Sequence, residues 1–121
     1  MRQENLPILL VEDDPLVLDS TAALLSDGGC DVRCAGSAEE AIACLEEGPP
    51  PAVLVTDIAL EGGPSGLDLV RTVAERWPDV KLLIVSGSER PCRDDYPEQA
   101  LFFTKPYAGG ALLAMVKDRD W

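Results

Sequence analysis

Four short polar clusters stand directly behind apolar runs, and their residue types suit one kind of chemistry. Glu12-Asp13-Asp14 follows Ile8-Leu9-Leu10-Val11, and Thr56-Asp57 follows Val53-Leu54-Val55. Ser86-Gly87 follows Leu82-Leu83-Ile84-Val85, and Thr104-Lys105-Pro106 follows Leu101-Phe102-Phe103. A lone Asp after a strand is usually a helix cap or a turn residue, and Asp14 by itself would be read that way. Several acids brought together are a different matter. Two carboxylates about 4 Å apart repel by roughly 4 kcal/mol at an effective dielectric constant near 20, so a converging group needs a cation or a proton. Mg²⁺ is the natural cation, because it takes oxygen ligands and is commonly held by one or two carboxylates together with phosphate oxygens. Lys105 adds a point positive charge suited to phosphoryl oxygens. A carboxylate placed beside these two charges can attack phosphorus, since phosphoryl transfer depends mainly on positioning and charge stabilisation. The product is an acyl phosphate.

The elements that must bring these clusters together are legible in the apolar pattern. Residues 8–11, 53–55 and 82–85 are continuous apolar runs, as in strands buried on both faces of a parallel sheet. Residues 32–35 and 101–103 are weaker strands bounded by turn residues. Between them the spacing turns helical. The first helix spans Pro15–Asp27, with Asp14 as cap, Pro15 in the first turn and Gly28-Gly29 as the stop. The second opens on Ser37-Ala38-Glu39-Glu40, the pattern of a capping box, and presents Ala38, Ala41, Ile42 and Leu45 before Gly48 and three prolines end it. The third covers residues 66–77, with Leu67, Val70, Val73 or Ala74, and Trp77 on one stripe. Residues 88–99 carry Pro91, Pro97 and clustered charges, so the fourth helix is expected to be short or irregular, and a fifth covers residues 107–117. Alternating strands and helices predict an α/β domain with helices on both faces of a parallel sheet. Such sheets bind ligands beyond the carboxyl ends of their strands, near the topological switch point. The four polar clusters are expected to meet there.

Composition narrows the function classes. A chain of 121 residues with 46% apolar and 26% charged residues suits one folded domain, taken here as residues 1–121. Ten basic against 22 acidic residues give a net charge of −12, which repels nucleic acid and anionic lipid. Neither a signal peptide nor a membrane span fits the sequence, so a cytoplasmic location is expected. Cys30, Cys34, Cys44 and Cys92 form no CxxC pair, and the chain has no histidine, which argues against zinc.

Taken together and in order, these motifs resemble the response-regulator receiver family of two-component phosphorelays, over the whole chain. The matching segments are Leu9-Leu10-Val11-Glu12-Asp13-Asp14-Pro15, Asp57-Ile58-Ala59-Leu60 with Ser65-Gly66-Leu67-Asp68-Leu69, Val85-Ser86-Gly87, and Phe102-Phe103-Thr104-Lys105-Pro106. The resemblance implies a flavodoxin-like, doubly wound five-stranded sheet of order 2-1-3-4-5. It implies Asp57 as phosphoacceptor and Mg²⁺ as cofactor. Asp13, Asp57 and the Ala59 backbone carbonyl would ligate the metal, with Glu12 acting through water. In this register Asp14 is an extra acid, free to cap the first helix. Ser86 would follow the phosphoryl group, Lys105 would pair with it, and Pro106 would carry a cis peptide bond. Phe102 matches the family's switch aromatic. Glu61 stands where the family usually has proline, and the Asp57-to-Gly66 spacing is one longer than in the commonest receivers.

The implied function is acceptance of a phosphoryl group from a sensor histidine kinase or a histidine phosphotransfer protein, followed by a switch in a protein-binding surface. The chain would not be an enzyme beyond catalysing its own phosphorylation and dephosphorylation, and it would act as a monomer or weak dimer. The alternative is a degenerate receiver that binds partners without phosphorylation. A phosphatase of the haloacid-dehalogenase kind needs a second acid two residues after the nucleophile, and that position is Ala59. A flavin module is disfavoured because Glu12, Asp13 and Asp14 would repel the phosphate its loop must cradle.

Overall fold

The computed structural model describes residues 6–58, 60, 65–86, 100–104, 114 and 116. Five strands run in chain order as β1 (Leu6–Val11), β2 (Cys30–Ala35), β3 (Val53–Asp57), β4 (Lys81–Ser86) and β5 (Leu101–Thr104). Three helices are described in full: α1 (Pro15–Asp27), α2 (Ala38–Glu47) and α3 (Gly66–Arg76). All strand pairs are parallel, in the order β2-β1-β3-β4-β5. The chain therefore leaves β1 in one direction to make β2 and returns past it to make β3. The switch point lies between β1 and β3.

Alternation along the strands divides the core into two layers. Leu9, Val11, Leu54, Leu82 and Ile84 face one way, where Ala38, Ala41 and Leu45 of α2 and Leu69, Val70 and Val73 of α3 cover them. Ile8, Leu10, Val53, Val55, Leu83 and Val85 face the other, against Leu25 of α1 and against Val116. Ala114 and Val116 are helical; the rest of the expected fifth helix, and the whole of the expected fourth, lie outside the described residues. Burial on both faces explains why β1, β3 and β4 read as unbroken apolar runs.

Local signals set the helix ends. Asp14 Oδ1 accepts from the amides of Leu16 (3.0 Å) and Val17 (3.5 Å), and Pro15 occupies the first turn. At the other end the Gly28 amide donates back to Leu24 and Leu25, and Gly29 takes φ 96°, a left-handed conformation that glycine adopts without steric cost. The second helix departs from the expected capping box in one half. Ser37 Oγ accepts from the Glu40 amide at 3.1 Å, but the Glu40 carboxylate accepts from Gly36 rather than from Ser37, at 2.6 Å. The complete box is at α3, where Ser65 Oγ accepts from the Asp68 amide and Asp68 Oδ2 from the Ser65 amide. On α3 the buried stripe is Gly66, Leu69, Val70 and Val73, with Leu67, Ala74 and Trp77 only partly covered. β2 begins at Cys30, two residues before the expected start, because it keeps register with β1 from Leu6↔Cys30 to Val11↔Ala35.

Candidate functional site

The strand register decides which of the polar residues share one edge. Val11 is level with Thr56, and Thr56 with Ile84, so Glu12 and Asp57 each stand one residue further along adjacent strands. The ladder also continues past the strand ends. The Glu12 amide donates to Ala35 O at 3.0 Å and the Ile58 amide to Val85 O at 3.2 Å. Ser86 closes β4 and is level with Thr104 of β5. Glu12, Asp13, Asp57 and Ser86 thus all lie at the carboxyl edge of the sheet, beside the switch point, where the fold class places ligands.

Their environments differ. Glu12 is buried, and its Oε2 accepts from the Asp14 amide at 3.2 Å. A carboxylate removed from water needs hydrogen bonds or positive charge to offset its lost hydration, so this side chain is held rather than free to sweep. Asp13 and Asp57 are half-buried, open enough to meet a ligand from solvent. Asp14 is exposed and committed to the α1 cap, which sets it apart from the Glu12-Asp13 pair. Ser86 is only 2% exposed, a buried hydroxyl at the end of a strand otherwise built from Lys81 and aliphatic residues. Phe102, in β5, is half-buried and packs on the α2 and α3 side of the sheet. Ala59, Lys105 and Pro106, also expected in the site, lie outside the described residues.

Backbone contacts fix Asp57 itself from two directions in sequence. Thr56, fully buried, donates its hydroxyl to the Asp57 carbonyl oxygen at 3.0 Å. Gly66, the first residue of α3, donates its amide to Ile58 O at 2.8 Å and lies so close that a Cβ there would fall 1.8 Å from Asp57 O. Thr56 and Gly66 stand among the motif residues, but their sequence context assigns neither a task. An isolated hydroxyl in an apolar strand was the available sign for Thr56; the Gly66 contact spans space and leaves no local pattern.

Glu12, Asp13 and Asp57 are all hard oxygen donors, the set that suits Mg²⁺ in an open site shared with phosphate oxygens. Among the described residues no three acidic, cysteine or histidine side chains are grouped so as to hold a metal ion by themselves. One or two carboxylates at an open edge still suit a metal that retains water and completes its sphere from the substrate. No helix among the described residues is long and apolar enough to cross a membrane.

Comparison with known proteins identifies the family and the fold. Residues 8–117 match the family described as the response regulator receiver domain. The phyllosphere-induced regulator PhyR of Methylorubrum extorquens is 30% identical over 110 residues, which cover 90% of this chain and 41% of PhyR. The transcriptional regulatory protein AruR of Pseudomonas aeruginosa is 39% identical over 84 residues, 66% of this chain and 34% of AruR. The chain spans less than half the length of either relative. Among solved structures, a response regulator receiver protein from Sinorhizobium medicae superposes with a TM-score of 0.86 at 26% identity, covering 93% of this chain and 92% of that one.

Proposed function

The chain belongs to the response regulator receiver domain family, and from that membership we propose that it is a phosphorelay receiver which takes a phosphoryl group on Asp57. One observation carries the proposal: half-buried Asp57 closes the central strand β3, level with buried Glu12 and beside buried Ser86, at the switch point of the sheet. In the transfer, an Asp57 carboxylate oxygen forms a bond to phosphorus while the bond from phosphorus to the donor's leaving atom breaks, and the leaving group keeps the electron pair. With a histidine donor the leaving atom is an imidazole nitrogen; with acetyl phosphate it is a carboxylate oxygen.

Glu12 and Asp13 would hold Mg²⁺ together with Asp57 and the Ala59 carbonyl, Glu12 through water. The ion when bound would neutralise charge on the phosphoryl oxygens. Lys105 would pair with the same oxygens from the β5 side, positioned by a cis bond to Pro106. The Ser86 hydroxyl, at the end of the neighbouring strand, would donate a hydrogen bond to a phosphoryl oxygen. Phe102 would then carry the change outward, so that a local charge event shifts a two-state surface. The phosphoryl donor is a sensor histidine kinase or a phosphotransfer protein, and residues 1–121 act as one receiver domain. Hydrolysis of the acyl phosphate at the same site would reset it.

Incubation with acetyl phosphate and Mg²⁺, read by intact mass, tests the proposal. Wild type is expected to gain one phosphoryl group, and Asp57→Ala none. No gain in the wild type would favour a receiver that binds partners without phosphorylation.

A further inference from the structure

Thr56 interrupts the apolar run of β3 one residue before Asp57, and it is buried as completely as Leu54 and Val55 beside it. A hydroxyl in that environment persists only with a hydrogen-bond partner. Its partner is the carbonyl oxygen of Asp57, at 3.0 Å. A Cβ built on Gly66, the first residue of α3, would fall 1.8 Å from the same oxygen. Ile58, the residue that follows Asp57, is held on both sides, with Ile58 N donating to Val85 O and Ile58 O accepting from Gly66 N. These contacts hold the main chain of Asp57, whose side chain is half-buried.

We infer that Thr56 is a positioning residue for phosphoryl transfer: its hydroxyl, with Gly66, locks the Asp57 peptide so that the carboxylate meets phosphorus in one orientation. The inference rests on the reading of Asp57 as phosphoacceptor. Attack requires the carboxylate oxygen in line with the bond that breaks, and displacements of about 1 Å in such geometries cost on the order of a hundredfold in rate. A residue that acts only through the backbone of the nucleophile should alter the rate at saturating donor and leave the donor's half-saturating concentration alone.

The test compares Thr56→Val, Thr56→Ser and Val53→Ala for the rate of acyl-phosphate formation as acetyl phosphate is raised at fixed Mg²⁺. Val53 is buried in the same strand on the layer away from α3, so its truncation controls for lost packing. Thr56→Val keeps the shape and removes one neutral hydrogen bond, and is expected to lower the limiting rate about fivefold with the half-saturating concentration unchanged. Thr56→Ser restores the donor and is expected within about twofold of wild type, as is Val53→Ala. A wild-type rate in Thr56→Val overturns the inference. So does an equal loss in Thr56→Ser, or in Val53→Ala, because the hydroxyl would then not be what matters. If the wild type itself takes no phosphoryl group, the phosphoacceptor reading falls and the positioning role falls with it; wild-type transfer beside an unaffected Thr56→Val removes the positioning role alone.

Discussion

Replacing Gly66 with alanine should damage the phosphoacceptor from a distance of nine residues in sequence. A Cβ at this position would lie 1.8 Å from Asp57 O, 2.8 Å from Asp57 C and 3.0 Å from Ile58 Cα. All three are main-chain atoms at or just beyond the end of β3, which cannot rotate away as a side chain would. Restoring ordinary contact requires α3 and the end of β3 to separate by about 1.5 Å. Overpacking of a close-packed interior costs roughly 1–3 kcal/mol, and alanine recovers at most about 1 kcal/mol over glycine in a helix. The net expectation is a loss of about 2 kcal/mol, since both shifted partners are backbone. A shift of that size at Asp57 should also slow phosphoryl transfer by about a hundredfold. Gly48 is the internal control, because it ends α2 in extended backbone with nothing within 4 Å of a built Cβ. Gly48→Ala should be neutral or stabilising by up to about 0.5 kcal/mol, through the unfolded chain. Urea unfolding of both variants, with acyl-phosphate formation measured beside it, checks the pair. If Gly66→Ala unfolds within about 0.5 kcal/mol of Gly48→Ala and still accepts phosphate at the wild-type rate, the reasoning about this contact is refuted.

Three further outcomes follow from separate parts of the fold. Asp14→Ala removes the acceptor for the Leu16 and Val17 amides and should cost about 1 kcal/mol, seen as a fall of about 4 °C in thermal midpoint. Partial burial, and secondarily the Asp19 carboxylate, push the Cys34 thiol above its ordinary range. Its alkylation should therefore start at higher pH than that of a free thiol, and Asp19→Asn should close only the smaller part of the gap. Because the unfolded chain gives up that proton more readily, the same shift removes stability as pH rises through the ordinary thiol range, which unfolding at a series of alkaline pH values would detect. Arg76 bonds to Glu46 at 2.8 Å and lies 4.4 Å from the Trp77 ring centroid, but both charged groups are half exposed. Arg76→Ala should cost less than about 1 kcal/mol, and the ion-pair share should fade with added salt, as unfolding at two ionic strengths would show.

The fold was legible wherever a local pattern carried it. Unbroken apolar runs marked β1, β3 and β4 because both faces of those strands are covered, and Asp14-Pro15 with Gly28-Gly29 bounded α1 to the residue. Pattern failed where tertiary pairing decides. Cys30 and Asp31 join β2 through register with Leu6 and Pro7, not through their own propensity. Glu40 prefers the Gly36 amide to that of Ser37, a choice made by loop geometry. The Ser65–Asp68 box has the spacing of a capping box, but the glycine and leucine pattern around it dominates that segment. In the site, acids and hydroxyls at strand ends could be named from sequence, since the fold class brings those ends together. Glu12 and Asp14 differ in surroundings: Glu12 is buried with its carboxylate accepting from the Asp14 amide, and Asp14 is exposed on the α1 cap. What sequence could not supply was the pair of contacts meeting at Asp57 O, because neither Thr56 nor Gly66 announces a partner.

The central claim is that Asp57, and not a neighbouring acid, becomes the acyl phosphate. Reductive trapping tests it most directly: borohydride converts a phosphorylated aspartate to homoserine, and peptide mass spectrometry then locates the change. After incubation with acetyl phosphate and Mg²⁺, homoserine is expected at position 57 alone, and Asp57→Ala should show none. Homoserine at Asp13 or Asp14, or trapping that persists in Asp57→Ala, would contradict the account.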